Sequence, residues 1–184
     1  MRRVDTRKQL FELIRKRALI RGTFRLSSGA VSDHYFDCKL VTLDPEGIYL
    51  IGEVILDQLE RERIEAGAIG GPTIGADPIA TAVALRSRER GRPLPAFLVR
   101  AGAKDHGTGR VLENPPPAGT PVVVVEDVVT TGRSTLRAIQ ACEKQGLKVA
   151  AVICIVDREQ GGAESLASYR FMPLFRRTEL LAAG

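Results

Sequence analysis

Val122 to Val125 are four valines in a row, preceded by Pro121 and followed at once by Glu126 and Asp127. A strand with one wet face alternates apolar and polar residues. A run that is apolar at every position must be covered on both faces. Shorter runs of the same kind recur at "AGAIGG" (66–71), "PAFLVR" (95–100), "KVAAVICIVDR" (148–158) and "FMPLF" (171–175). Segments with helical signals separate most of them. This alternation predicts an α/β fold with a mostly parallel central sheet and helices on both faces. Ligands of such sheets sit at the carboxyl ends of the strands. The chain has 184 residues, which suits a single α/β domain spanning 1–184.

The helices announce themselves at their starts. Leu10, Phe11, Leu13, Ile14, Ala18 and Leu19 fall near helical spacing, so residues 5–20 read as an amphipathic helix. Asp44-Pro45 is a capping carboxylate followed by proline at the first helical position, and its helix should reach Arg63. Asp77-Pro78 repeats that signal and should open a helix to about Arg90. Further helices are expected over 134–146 and near 162–169. Residues 20–40 contain two strand-like pieces around Ser28-Gly29. Residues 101–120, "AGAKDHGTGRVLENPPPAGT", are rich in Gly and Pro, and a loop of that length in a compact domain points to function.

Two adjacent acids at the end of an apolar strand, then Thr130-Thr131-Gly132-Arg133-Ser134-Thr135, pose a chemical question. Neither familiar nucleotide loop fits. A P-loop needs glycine where Asp127 stands, and the dinucleotide fingerprint starting at Gly107 needs glycine where Leu112 stands. A phosphorylated sugar fits both halves. The turn leads into a helix N-terminus, whose free N–H groups and dipole can hold a monophosphate. The paired carboxylates can accept hydrogen bonds from two neighbouring ribose hydroxyls.

Composition narrows the surroundings. The net charge is +5, which fits an anionic partner, yet no like-charge block is long enough for a nucleic-acid tail. Asp5 and Glu12 argue against a transit peptide in the basic N-terminal stretch. No apolar run approaches the roughly 20 residues that span a bilayer. Cys38, Cys142 and Cys154 are odd in number and lack a CxxC pair, so they read as buried free thiols in a reducing, cytoplasmic setting. Neither nucleic acid nor membrane is expected as a partner.

"VVVVEDVVTTGRST" resembles the phosphoribosyl-pyrophosphate signature of the type I phosphoribosyltransferases. Three further stretches resemble the orotate branch of that family: "FRLSSGAVSDHYFDCK" (24–39), "VRAGAKDHGTG" (99–109) and "VDREQGG" (156–162). The resemblance runs along nearly the whole chain in the right order. It implies the type I fold with a small hood, formed mainly by 20–40 and the C-terminal segment, and a mobile catalytic loop over about 101–120. The implied reaction transfers the phosphoribosyl group of phosphoribosyl pyrophosphate to orotate. Glu126 and Asp127 would hold the ribose, and Val128, Val129, Thr130, Thr131, Gly132, Arg133 and Ser134 the 5′-phosphate. Arg100, Lys104 and His106 would stabilise the leaving pyrophosphate, with Asp127 beside the reacting carbon and Asp105 anchoring the closed loop. Arg158 would grip the orotate carboxylate, with Tyr35, Phe36, Ser27 and Thr130 around the base. Mg²⁺ would arrive on the substrate, near Asp127 and without a dedicated protein cage. A homodimer, with the loop reaching the neighbouring site, and a separate orotidine-monophosphate decarboxylase follow from the same resemblance.

Each assignment has a plainer reading. Arg158 can be a surface ion pair with Asp157 or Glu159, and Tyr35 and Phe36 can be core aromatics. Ser27, Gly75 and Ala101 stand where members of the family often carry lysine. Backbone donors over Thr73 to Ala76 could replace that charge. A transferase for another base, or a non-catalytic sensor of phosphoribosyl pyrophosphate, remains as an alternative.

Overall fold

In the computed structural model, which describes residues 5–25, 31–102 and 111–182, a six-stranded sheet occupies the centre. The order along the chain is α1 (Thr6–Arg17), β1 (Leu19–Arg25), β2 (Val31–Phe36), α2 (Lys39–Thr42), α3 (Pro45–Arg61), β3 (Ala68–Pro72) and α4 (Ala76–Glu89). Then follow β4 (Ala96–Val99), β5 (Leu112–Glu113), β6 (Pro121–Val129), α5 (Arg133–Lys144), β7 (Lys148–Asp157), α6 (Gly162–Ser165), β8 (Phe171–Arg176) and α7 (Arg177–Ala182). The sheet order is β5-β4-β3-β6-β7-β8, and every pairing is parallel except that of β4 with β5. β1 and β2 form a separate antiparallel hairpin.

The four valines of β6 show why the sheet must be covered twice. Val123 and Val125 enter one core with Ile14 of α1, Ile51 of α3 and Ile79 of α4. Val122 and Val124 enter the other with Ala138, Ile139 and Cys142 of α5. All four are fully buried, as the unbroken run requires.

Close contact of β3 with β6 sets the position of everything beyond it. Gly70 lies beside Val124 in the parallel register, and a methyl group on the next residue, Gly71, would overlap the Val125 carbonyl oxygen. Only glycine lets the two backbones come this close.

Several boundaries differ from the sequence reading. β6 does not end at the acids but continues to Val129, because β7 extends alongside it and pairs Val128 with Val156 and Val129 with Asp157. Glu126 and Asp127 are therefore inside a strand. Asp44 caps α3 as expected, accepting the Glu46 and Gly47 N–H groups at 3.1 and 3.0 Å. Asp77 does not cap α4: the helix starts at Ala76 with Gly75 before it, so Asp77-Pro78 lies within the first turn. Part of the long loop is strand β5, and the segment near 162–169 contains only the short α6. The three cysteines are buried and unpaired. Among the described residues, no helix is long and apolar enough to cross a membrane.

The Gly71–Val125 approach gives a direct test. Gly71→Ala should lower stability by about 3 kcal/mol, because overpacked backbone must move apart. Urea unfolding measures this, and an unchanged midpoint would refute the tight contact.

Candidate active site

The paired acids lie where three elements meet. Glu126 is 6% exposed. Its Oε2 accepts the Ser134 hydroxyl at 3.0 Å and the buried Thr135 hydroxyl at 3.5 Å, both from the first turn of α5. Burial pushes the Glu126 carboxyl up to about 8; the charge of Asp127 adds to the rise and the Ser134 hydroxyl opposes it. Asp127 is half-buried, and its Oδ1 accepts the Val128 N–H at 2.7 Å. The turn between β3 and α4 closes over both acids. A Cβ built on Gly75 would stand 2.5 Å from Asp127 Oδ1 and 3.0 Å from Glu126 Oε1. No larger residue fits there while the acids stay in place.

The segment after the acids separates into side chains that serve the core and backbone that faces outward. Val129 is buried under α5, and Val128 packs on the opposite core. Thr131 and Arg133 are exposed, and Thr130 is half-buried. Gly132 takes a left-handed conformation, φ 78°, which suits glycine, and no side chain caps α5. The opening N–H groups of a ten-residue-plus helix are thus available to an anion. Ser134 was expected to donate to a phosphate; here its hydroxyl is committed to Glu126, leaving its backbone N–H for that task.

Arg158 follows β7 directly. It is 6% exposed, and its Nε and one terminal nitrogen are buried without a hydrogen-bond partner. The surface ion pair with its sequence neighbours does not form. Asp157 Oδ1 accepts the Glu159 N–H at 2.8 Å, and the Glu159 carboxylate accepts the Thr178 N–H and hydroxyl at 2.9 and 3.0 Å. The Arg158 guanidinium lies 5.9 Å from the Tyr35 ring centroid, which brings the β1–β2 hairpin to the end of β7. Phe36, by contrast, is 2% exposed and belongs to the core, so only its backbone can face a ligand. The alternation of β2 separates the two aromatics.

Arg100 lies just beyond β4. Its guanidinium pairs with Glu113 of β5 at 3.2 Å, while its Nε is buried without a hydrogen-bond partner. Ala101 is exposed. Ser27, Lys104, Asp105 and His106 lie outside the described residues. Lys39 is a cation that the sequence reading did not single out. Lys39 of α2 sits 2.7 Å from Asp37, whose hydrogen bond raises the ammonium above its ordinary value, with Tyr35 and Asp127 adding to the effect. No spacing rule links residues 39 and 127. The site residues gather at the carboxyl ends of β3, β6 and β7. A separate cavity of about 760 Å³, lined by Leu56, Leu59, Arg63, Ile64, Ser87 and Leu94 among others, lies at the amino ends of β3 and β4.

The phosphoribosyl transferase domain family matches residues 44–176. The orotate phosphoribosyltransferase of Aquifex aeolicus is 43% identical over 180 residues, covering 95% of this chain and 97% of the relative. A crystal structure of Mycobacterium tuberculosis orotate phosphoribosyltransferase with Fe(III) dicitrate superposes with a TM-score of 0.83 at 37% identity, covering 95% of this chain and 98% of that one. The same enzyme in complex with 5-phospho-α-D-ribosyl 1-diphosphate gives a TM-score of 0.79 at 33% identity, with coverage of 95% and 98%. A domain match over most of the chain, near-complete overlap with these relatives and a shared type I fold all lead to one assignment: the chain belongs to the orotate phosphoribosyltransferases.

Proposed function

We infer that the chain transfers the 5-phosphoribosyl group from phosphoribosyl pyrophosphate to N1 of orotate, forming orotidine 5′-monophosphate and pyrophosphate in the synthesis of UMP. The observation that carries the choice of base is Arg158, a buried guanidinium with two unpartnered nitrogens at a strand end. Such a fork calls for a planar anion such as the orotate carboxylate.

In this reading Glu126 and Asp127 accept the ribose hydroxyls, and the backbone of 128–134 with the Thr130 and Thr131 hydroxyls holds the 5′-phosphate. Tyr35, the Phe36 backbone, Ser27 and Thr130 border the base. The C1–oxygen bond to pyrophosphate breaks as the C1–N1 bond forms, and pyrophosphate leaves with the electron pair. No covalent nucleophile is needed. The protein positions the two reactants and stabilises separating charge. Arg100, Lys104 and His106 supply cations on the pyrophosphate side, aided by backbone donors of the Gly75 turn. Among the described residues no cluster of three or more acids, histidines or cysteines could cage a metal. Two adjacent carboxylates fit a Mg²⁺ ion that keeps its waters and arrives on the substrate, with Asp127 reaching those waters. Bound there, the ion would neutralise pyrophosphate charge.

The assembly we propose is a homodimer in which loop 101–120 serves the neighbouring site. Exposed Leu40 on α2, Leu43 just after it, Tyr49 on α3 and Leu85 on α4, with α3 packed against both α2 and α4, offer an apolar face for the second copy. Three buried free thiols support a cytoplasmic setting, where a separate decarboxylase would consume the product.

The deciding experiment incubates the protein with phosphoribosyl pyrophosphate, Mg²⁺ and one base at a time. Orotate should be consumed, and uracil, hypoxanthine, guanine and adenine should not. Turnover of another base would overturn the role of Arg158, and binding without any turnover would favour a sensor. Lys104→Ala should lower kcat by about 100-fold with the circular dichroism unchanged, since it removes charge stabilisation alone; undiminished kcat would take Lys104 out of the reaction.

Glu126 adds a pH test. Its folded value of about 8 stands above the ordinary 4.5, so between those limits the folded state holds a proton that the unfolded state has lost. Stability from this group is complete below the lower value and is lost as pH rises through the upper one. Glu126→Gln should therefore raise the thermal midpoint of the free protein at about pH 8, and much less at about pH 5, while weakening binding of phosphoribosyl pyrophosphate. Equal midpoint differences at both pH values would contradict the assignment.

A further inference from the structure

β7 and β8 run parallel with Asp157 beside Arg176. The next residue on each strand is an arginine, so Arg158 and Arg177 leave neighbouring strands at the same level, where strand axes are about 4.8 Å apart. Two guanidinium groups that start so close repel unless an anion lies between them. The acids nearby supply it only in part: Glu159 forms a long ion pair with Arg177, and neither Asp157 nor Glu159 pairs with Arg158. Glu159 gives both oxygens to Thr178, and Arg177 Nε remains 3.7 Å away, beyond hydrogen-bond reach. Asp157 is engaged by the Glu159 N–H. Five buried side-chain nitrogen or oxygen atoms among the described residues have no hydrogen-bond partner. Three of the five belong to this pair: Nε and one terminal nitrogen of Arg158, and Nε of Arg177. Burial lowers the Arg158 guanidinium from its ordinary value, and the charge of Arg177 acts in the same direction, against Tyr35.

A buried N–H without a partner costs the full desolvation of that group, so three together in one place mark a candidate binding site. The missing partner must be an acceptor with negative charge and more than one oxygen.

We propose that Arg177 is the second cation of the base pocket and shares the carboxylate of the incoming base with Arg158. The proposal rests on the base-site reading of Arg158. It makes specificity a matter of two cations at one level of the sheet. A base without a carboxylate leaves the buried Arg158 guanidinium without an acceptor and Arg177 with only its long pairing to Glu159, and is rejected for that reason. Arg177 starts α7, so the last helix of the chain takes part in choosing the substrate.

The test compares steady-state KM for orotate and for phosphoribosyl pyrophosphate in Arg177→Gln, Arg177→Lys, Glu159→Gln and Arg158→Ala. Arg177 has a side chain 35% exposed, so its replacement leaves the core intact. Arg177→Gln should raise the orotate KM about tenfold, the loss of a hydrogen bond to a charged group, with the phosphoribosyl-pyrophosphate KM unchanged. Arg177→Lys should fall between, because it restores charge without the planar fork. Glu159→Gln should leave the orotate KM where it was. A raised orotate KM in Arg158→Ala but not in Arg177→Gln overturns this inference and leaves the base site standing. Unchanged KM in both overturns the base-site reading and the inference with it. An equal rise in Glu159→Gln, or an equal rise for both substrates in Arg177→Gln, makes Arg177 a brace for α7 and also overturns it.

Discussion

Glu126 is a carboxyl group inside a sheet, and the surrounding elements are arranged around that fact. A buried acid needs hydrogen-bond donors or a proton. Ser134 and Thr135 supply donors from α5, which requires the turn of 130–132 to bring the helix back over the strand end. Gly75 lets the β3–α4 turn close over the same group, which requires β3 to lie tightly against β6. Two local demands thus fix the two loops that flank the site. In the free protein burial, aided by the charge of Asp127, raises the Glu126 carboxyl. A ligand with paired hydroxyls would supply hydrogen bonds to its charged form.

Sheet order gives the proposed ligand its direction. β3, β6, β7 and β8 are consecutive neighbours, and their carboxyl ends present three chemistries in order. β3 leads into a small turn with backbone donors, β6 carries its acids two residues before its end, Arg158 follows β7 and Arg177 follows β8. A molecule laid across these ends meets donors, then carboxylates, then guanidinium groups. On the proposed assignment this is the order of pyrophosphate, ribose and base. Neighbouring strands about 4.8 Å apart place the four ends within reach of one molecule.

Much of this was legible before any coordinates. Continuous apolar runs predicted a doubly covered sheet, and Asp44-Pro45 predicted the start of α3, because both signals act within a few residues. The misread points depend on distant partners. Asp77-Pro78 has the same local chemistry as Asp44-Pro45, yet α4 starts earlier because Gly75 is packed against acids from β6. β6 outlasts its acids because β7 is there to pair with them. The pairing of Tyr35 and Phe36 was visible, but which ring reaches Arg158 and which enters the core depends on the face that β2 presents. Arg158 looked ready to pair with either neighbour, and only tertiary contacts show that Thr178 has claimed Glu159. Arg177 had no signal at all, since its position beside Arg158 comes from strand register.

Gly75 also explains where positive charge can and cannot stand in this chain. A lysine at that position would drive its Cβ into Asp127, so the turn cannot carry the cation that relatives of the family often place there. What the turn gains is proximity: its backbone lies directly on the acids. N–H donors are weaker than an ammonium, but they are held by the fold and lose no side-chain entropy on binding. Charge is displaced to the edges, to Arg100 beyond β4, to Lys39 on α2, and to the arginine pair after β7 and β8. A site built in this way keeps its centre acidic and its rim basic. On the proposed assignment the centre favours hydroxyls and the rim draws in a substrate that carries anions at both ends.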